Sequence, residues 1–175
     1  ILPGFSRKSL KIYRAEKPVA GHDFSSGEWS RVPWHELGGI QLDDLHDRTR
    51  FKVLYDDSRL YFAIETDLPG QRSFKPLGHD GSCWITDCLE LVLDPWGTRE
   101  KYFHLIFNPV EDSWYDAAFG LIADPLHPLF NSMDVSWNGK WEYSGMRKDG
   151  RWKVLVSIPF ATFGIEAPRA GSVWT

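Results

Sequence analysis

The chain has 175 residues and a mass of 20.2 kDa, the size of one domain that buries roughly 70% of the surface its unfolded form exposes. Its formal charge of −4, from 20 Lys and Arg against 24 Asp and Glu, withholds the long-range attraction on which a nucleic-acid or anionic-membrane partner depends. No apolar run approaches the roughly 18 residues of a membrane span, and no charged, apolar and small-residue leader opens the sequence, so a soluble chain is expected, its start at Ile1 that of a processed product or an excised piece.

Breakers then cut the chain at short intervals: Gly38-Gly39, Asp56-Asp57-Ser58, Asp94 to Gly97, Asn108-Pro109, Asn138-Gly139 and Lys148 to Gly150. Phe51 to Tyr55 and Leu60 to Glu65 read as a hairpin. Cys88 to Leu93, Tyr102 to Phe107 and Trp114 to Ala117 read as successive antiparallel strands, and Trp141 to Met146 with Arg151 to Ile158 as a further tight-turned pair. In the last of these Trp152, Val154, Val156 and Ile158 alternate with Lys153, Leu155 and Ser157, the period of a sheet with one face turned inward. Pro159 to Gly164 fits one helical turn, and no stretch carries a sustained helical period. The fold class expected is all-β, an antiparallel β-sandwich of jelly-roll or immunoglobulin-like type, because a single open sheet would leave too much apolar area exposed. Segments 66–83 and 118–136, rich in Pro, Asp and His, read as its loops.

Nine Trp, six Tyr and eleven Phe make the chain 15% aromatic, more than a core of this size ordinarily uses. Such rings also stack on flat ligands. Cys83 and Cys88 are expected to be free thiols, since five extended steps hold their Cα atoms beyond the roughly 7 Å limit of a disulfide. Phosphate-binding glycine loops, zinc-spaced His and Cys and a nucleophile elbow around Ser82 are all missing from the sequence. A glycosidase pair of carboxylates stays open, because its separation of about 5–10 Å is set in space and not along the chain.

The informative stretch runs from Trp84 to Pro95. If extended, it turns Trp84, Cys88, Glu90 and Val92 to one face and Leu89, Leu91 and Leu93 to the core. In the next strand Tyr102, His104 and Ile106 share a face, and a hairpin centred on Gly97 sets Glu90 directly opposite His104. Trp84, Glu90 and His104 on one sheet face would supply a ring for the apolar side of a pyranose and polar groups for its hydroxyls. The alternative reading packs Trp84 beneath a loop and pairs Glu90 with a Lys or His.

These residues resemble a known family. Trp84-x-x-Asp87-x-x-Glu90, followed by an apolar strand and Asp94, is similar to the family 9 carbohydrate-binding modules and the wider, DOMON-related group of family-9-like domains. The Thr49 to Ala63 hairpin, the Tyr102 to Pro109 strand and the closing Trp152-Lys153-Val154 to Ile158-Pro159 follow in the same order. The likeness covers the chain from about residue 12 to its end, and its strength is the order of several motifs.

The resemblance implies a single jelly-roll domain over residues 1–175, structural calcium in some members, and a slot in which two Trp rings grip a terminal sugar. Trp84 matches the first ring and Glu90 the sugar-bonding carboxylate. His104 stands where sugar-binding members carry Arg, so a bidentate, permanently charged donor is replaced by a weaker one. The second ring belongs to a segment after Val173-Trp174-Thr175, so the domain is expected to be truncated at its C-terminal end.

The function expected is non-catalytic carbohydrate binding, without nucleic-acid or membrane partners, attached to or acting with polysaccharide-processing enzymes in an extracellular or periplasmic setting. No cofactor is certain. Asp80, Asp87, Asp94, Asp112 and Asp116 could supply oxygens to calcium, though their spacing follows no EF-hand pattern. Met133, Met146 and six His leave open a haem-carrying electron-transfer domain, and an interaction module without a sugar ligand is the third alternative.

Overall fold

The computed structural model describes residues 9–37, 48–68, 75–110 and 112–175. The expected Gly38-Gly39 break and part of the 66–83 loop lie outside the described residues. Among the described residues, eleven strands form two sheets. The first sheet takes β1 (Tyr13–Arg14), β2 (His35–Glu36), β3 (Thr49–Tyr55), β4 (Arg59–Asp67), β10 (Glu142–Lys148) and β11 (Arg151–Pro159), in the order β1-β3-β4-β11-β10 with β2 also on β3. The second takes β5 (Gly78–His79), β6 (Leu89–Leu93), β7 (Tyr102–Phe107), β8 (Ser113–Phe119) and β9 (Met133–Asp134), in the order β5-β8-β7-β6 with β9 also on β8.

The all-β sandwich expected from the sequence is present, with one correction to its strand directions. The long strands pair antiparallel, but β1 runs parallel to β3 and β5 parallel to β8. These two-residue strands arrive from long connections, and a tight hairpin is what would oblige antiparallel pairing. The helical turn falls where Pro159 to Gly164 predicts it, as a 3₁₀ turn over Phe160–Phe163 closed by Gly164 at φ 68. A residue with a side chain is strained in that left-handed conformation, and Gly is not.

The main core lies between the sheets. Val53, Phe62, Ile64, Trp152, Val154, Val156 and Ile158 from the first sheet meet Phe103, Leu105, Phe107 and Ala118 from the second. A second cluster covers the opposite face of the first sheet, where Phe24, Trp29 and Val32 of the N-terminal segment pack on Leu54, Tyr61, Ala63 and Leu155. Leu155, on the polar side of the expected alternation, is buried there. Lys52 is buried in the same layer, its ammonium donating to the carbonyls of Phe24 (2.9 Å) and Trp29 (2.7 Å) and lying 4.7 Å from the centre of the Trp34 ring. The first sheet is thus covered on both faces, while on the outer face of the second Glu90 and Val92 are exposed and Ile106 and Ala117 are buried.

A charged ladder supports this double cover. Glu65 on β4 pairs in register with Arg50 on β3 and Lys153 on β11. Its Oε2 accepts from Arg50 Nη2 at 2.6 Å, and its Oε1 faces Lys153 Nζ at 3.2 Å. Burial pushes this carboxyl up, but the hydrogen bonds and charges of Arg50 and Lys153 outweigh it and hold it below its ordinary 4.5. A carboxyl depressed on folding stabilises the protein above its unfolded value, and that contribution drains away as pH falls through the folded value. Thermal melts of wild type and Glu65→Gln should therefore differ at neutral pH and converge as pH falls below about 4.5. A constant gap down to about pH 3 would show that the Glu65 charge does not stabilise the fold.

Candidate functional site

Period-two alternation along β6, β7 and β8 sorts their side chains into two sets. Leu89, Leu91, Leu93, Phe103, Leu105 and Phe107 pack into the core. The opposite set forms rows across the outer face: Glu90, Ile106 and Tyr115; then Val92, His104 and Ala117; then Tyr102 and Phe119. Tyr102 and Phe119 stack at 5.0 Å between ring centres.

Glu90 and His104 share that face but not as directly opposed residues. The observed register sets Glu90 against Ile106 and Val92 against His104, which centres the hairpin on Thr98 and not on Gly97. The turn supplies the reason. Asp94 is buried, and its carboxylate accepts from the backbone N–H groups of Trp96 (2.9 Å) and Arg99 (2.5 Å) and from the Thr98 and Thr175 hydroxyls. Burial alone would raise the Asp94 carboxyl, and these donors outweigh it and hold it low. Because the partner changes by two residues, every side chain keeps its face. The long Glu and His side chains then close the diagonal, with His104 Nε2 and Glu90 Oε2 3.0 Å apart.

Trp84 does not extend β6 as the sequence suggests. It sits in a 3₁₀ turn over Cys83–Ile85, anchored by buried Cys83 and closed by the Thr86 hydroxyl donating to the Cys83 carbonyl at 3.0 Å. The ring is half-exposed and meets Tyr115 edge-on, with centres 5.2 Å apart and planes at 80°. Tyr115 also meets the His104 ring edge-on at 6.2 Å. Tyr115 is the residue that sequence reasoning missed. Its signal was available in the alternation of Tyr115, Ala117 and Phe119, which face Ile106, His104 and Tyr102 across the β7–β8 ladder. Burial, then the charges of Asp80 and Asp116, push its phenol up, so it stays a neutral hydroxyl at neutral pH.

Both cysteines are free. The Cys88 thiol, 3.9 Å from Glu90 Oε1, is pushed up to about 11 by burial and then by the Glu90 charge, which keeps it protonated and unreactive.

Of the five Asp residues considered for metal, the structure brings two together. Asp80 and Asp116 meet His79, with one ligand atom from each within 4.8 Å of the others. Asp94 is committed to its turn, and Asp112 occupies the left-handed turn (φ 61) that leads into β8. The two methionines of the haem reading lie in different sheets, Met133 on β9 and Met146 exposed on β10.

No family model matches this sequence, and no curated protein matches it. Solved structures do. A family 9 carbohydrate-binding module from Caldicellulosiruptor kristjanssonii in complex with glucose is 16% identical and superposes with a TM-score of 0.62 over 94% of this chain and 73% of its own. The complex of a family 9 module from the same organism with cellotriose gives 0.59 at 16% identity over 93% and 71%. A candidate carbohydrate-binding protein from Bacteroides uniformis gives 0.64 at 12% identity over 94% and 78%. The fold is therefore that of the family 9 modules, as the resemblance implies.

The Glu90–His104 contact contributes little to the fold, since a single partly exposed hydrogen bond is worth about 1 kcal/mol. Urea unfolding should place Glu90→Gln and His104→Ala within about 1 kcal/mol of wild type, while Phe107→Ala, which opens a cavity in the core, should cost about 3–5 kcal/mol. A loss as large as that of Phe107→Ala for either site variant would make the pair structural.

Proposed function

We propose that this domain binds carbohydrate without catalysis, holding a sugar ring against Trp84 while Glu90 and His104 bond its hydroxyls. The observation that carries the reading is a half-exposed Trp ring on the same outer sheet face as a Glu–His pair. The apolar face of a pyranose offers C–H groups to a π surface, and its equatorial hydroxyls offer donors and acceptors at the rim. Glu90 accepts and His104 complements it, and their mutual hydrogen bond fixes the spacing at which hydroxyls are met. Tyr115 is a positioning residue, since its ring holds both Trp84 and His104 by edge contacts. Support from outside the chain is the shared fold of modules that carry glucose and cellotriose. A domain of this kind works attached to or beside an enzyme that processes polysaccharides, and so in an extracellular or periplasmic setting.

Structural calcium, the ion that the resemblance implies, fits the group of His79, Asp80 and Asp116 poorly. Calcium takes 6–8 oxygen ligands. The group at Asp80 and Asp116 contains an imidazole as its third member.

Calorimetry with glucose and cellotriose tests the sugar reading. Trp84→Ala should abolish the heat of binding, and Glu90→Gln should weaken affinity by about 1–3 kcal/mol through loss of a charge-assisted bond. His104→Arg should strengthen it, because a guanidinium donates two fixed bonds where an imidazole donates one. A folded Trp84→Ala variant that binds as well as wild type would remove the site. A protein that binds neither sugar at millimolar concentration would favour an interaction module on the same fold.

A further inference from the structure

We propose that His79, Asp80 and Asp116 form a binding site for a divalent transition-metal ion of the zinc class, at the seam where β5 joins β8. The backbone brings the three together. β5 pairs with the start of β8, Gly78 against Ser113 and His79 against Trp114. Gly78 N–H donates to the Asp112 carbonyl and Leu77 N–H to the Ser113 hydroxyl, both at 2.8 Å. The His79 ring lies flat on Trp114, centres 4.9 Å apart and planes within 18°, so its orientation is set before any ligand arrives.

Asp116 supplies the buried end of the site. Its side chain has no exposure, and its two oxygens have separate tasks. Oδ2 accepts from the Gly139 N–H at 2.7 Å and the Trp141 Nε1–H at 2.9 Å, while Oδ1 faces His79 Nε2 at 2.8 Å. The Gly139 and Trp141 donors to Oδ2 are the outer-shell hydrogen bonds that orient a ligating carboxylate, and they leave Oδ1 turned toward His79. Asp80 closes the set from the surface, its Oδ1 3.5 Å from the same His79 nitrogen. Among the described residues neither carboxylate has a Lys or Arg partner.

The dimensions suit a small tetrahedral ion. Metal–ligand bonds of about 2.0–2.1 Å set the ligand atoms about 3.3 Å apart. The two separations from His79, 2.8 and 3.5 Å, bracket that value, and all three atoms lie within 4.8 Å, so rotation of the exposed Asp80 side chain is what closes the set on an ion. One nitrogen and two carboxylate oxygens favour zinc over calcium, and a neutral imidazole with two carboxylates carries the −2 charge that a divalent ion offsets. With Asp80 half-exposed, the fourth position opens to water.

The test needs no sugar, so its result is independent of the carbohydrate reading. The whole chain, stripped by chelator, is titrated by calorimetry with Zn2+ and separately with Ca2+, and melted with and without each ion. Zn2+ should bind one per chain and raise the melting temperature, with Ca2+ doing neither. His79→Ala and the surface variant Asp80→Asn should each weaken Zn2+ at least about tenfold, and Trp141→Phe, which keeps all three ligands but removes a donor to Asp116, should weaken it about 10–100-fold. Absence of Zn2+ binding, Zn2+ binding that Asp80→Asn and His79→Ala leave unchanged, or Ca2+ binding with the same dependence on these residues would overturn the assignment.

Discussion

The structure depends on one constraint, the obligatory alternation of side chains along β6, β7 and β8. Leu105 and Phe107 are wholly buried between the sheets, and that burial leaves His104 and Ile106 no choice but the opposite face. Each fully buried side chain of this size contributes about 1.5–3 kcal/mol, so a one-residue slip that exposed the core set would be far costlier than any gain on the outer face. The site is thus positioned by the core, and its own residues add little to holding it in place.

The first sheet, by contrast, has apolar layers on both of its faces. On the face opposite the main core, the N-terminal segment lays Phe24, Trp29 and Val32 over Leu54, Tyr61 and Leu155, and Lys52 satisfies two of that segment's carbonyls from below. Successive residues on β8 then serve different ends. Tyr115 points out to Trp84 and His104, while Asp116 points in to His79, Gly139 and Trp141. A single strand so contributes to the face proposed for the sugar and to the group proposed for the metal, with the pleat keeping them apart.

Much of the fold was legible in the sequence because its signals are local. The hairpin of β3 and β4, the alternation of β11 and the Pro159 to Gly164 turn each declare themselves within about ten residues. Other features were not legible, for physical reasons. The β6–β7 register depends on how many donors Asp94 collects in its turn, which moved Glu90 from opposite His104 to its diagonal. Trp84 could be placed on the right face but not in the right conformation, because its 3₁₀ turn is anchored by the burial of Cys83 rather than by residue propensity. The Trp84–Tyr115 and His79–Asp116 contacts join segments far apart in sequence, and only the packed sheet brings them together.

The central claim is that the face exposed by this alternation holds a sugar on Trp84. A crystal structure of the protein soaked with cellotriose tests it most directly. The account predicts a pyranose ring stacked on Trp84, with hydroxyls within hydrogen-bond distance of Glu90 and His104. Ordered sugar on another surface, with the Trp84 face bare, would contradict it.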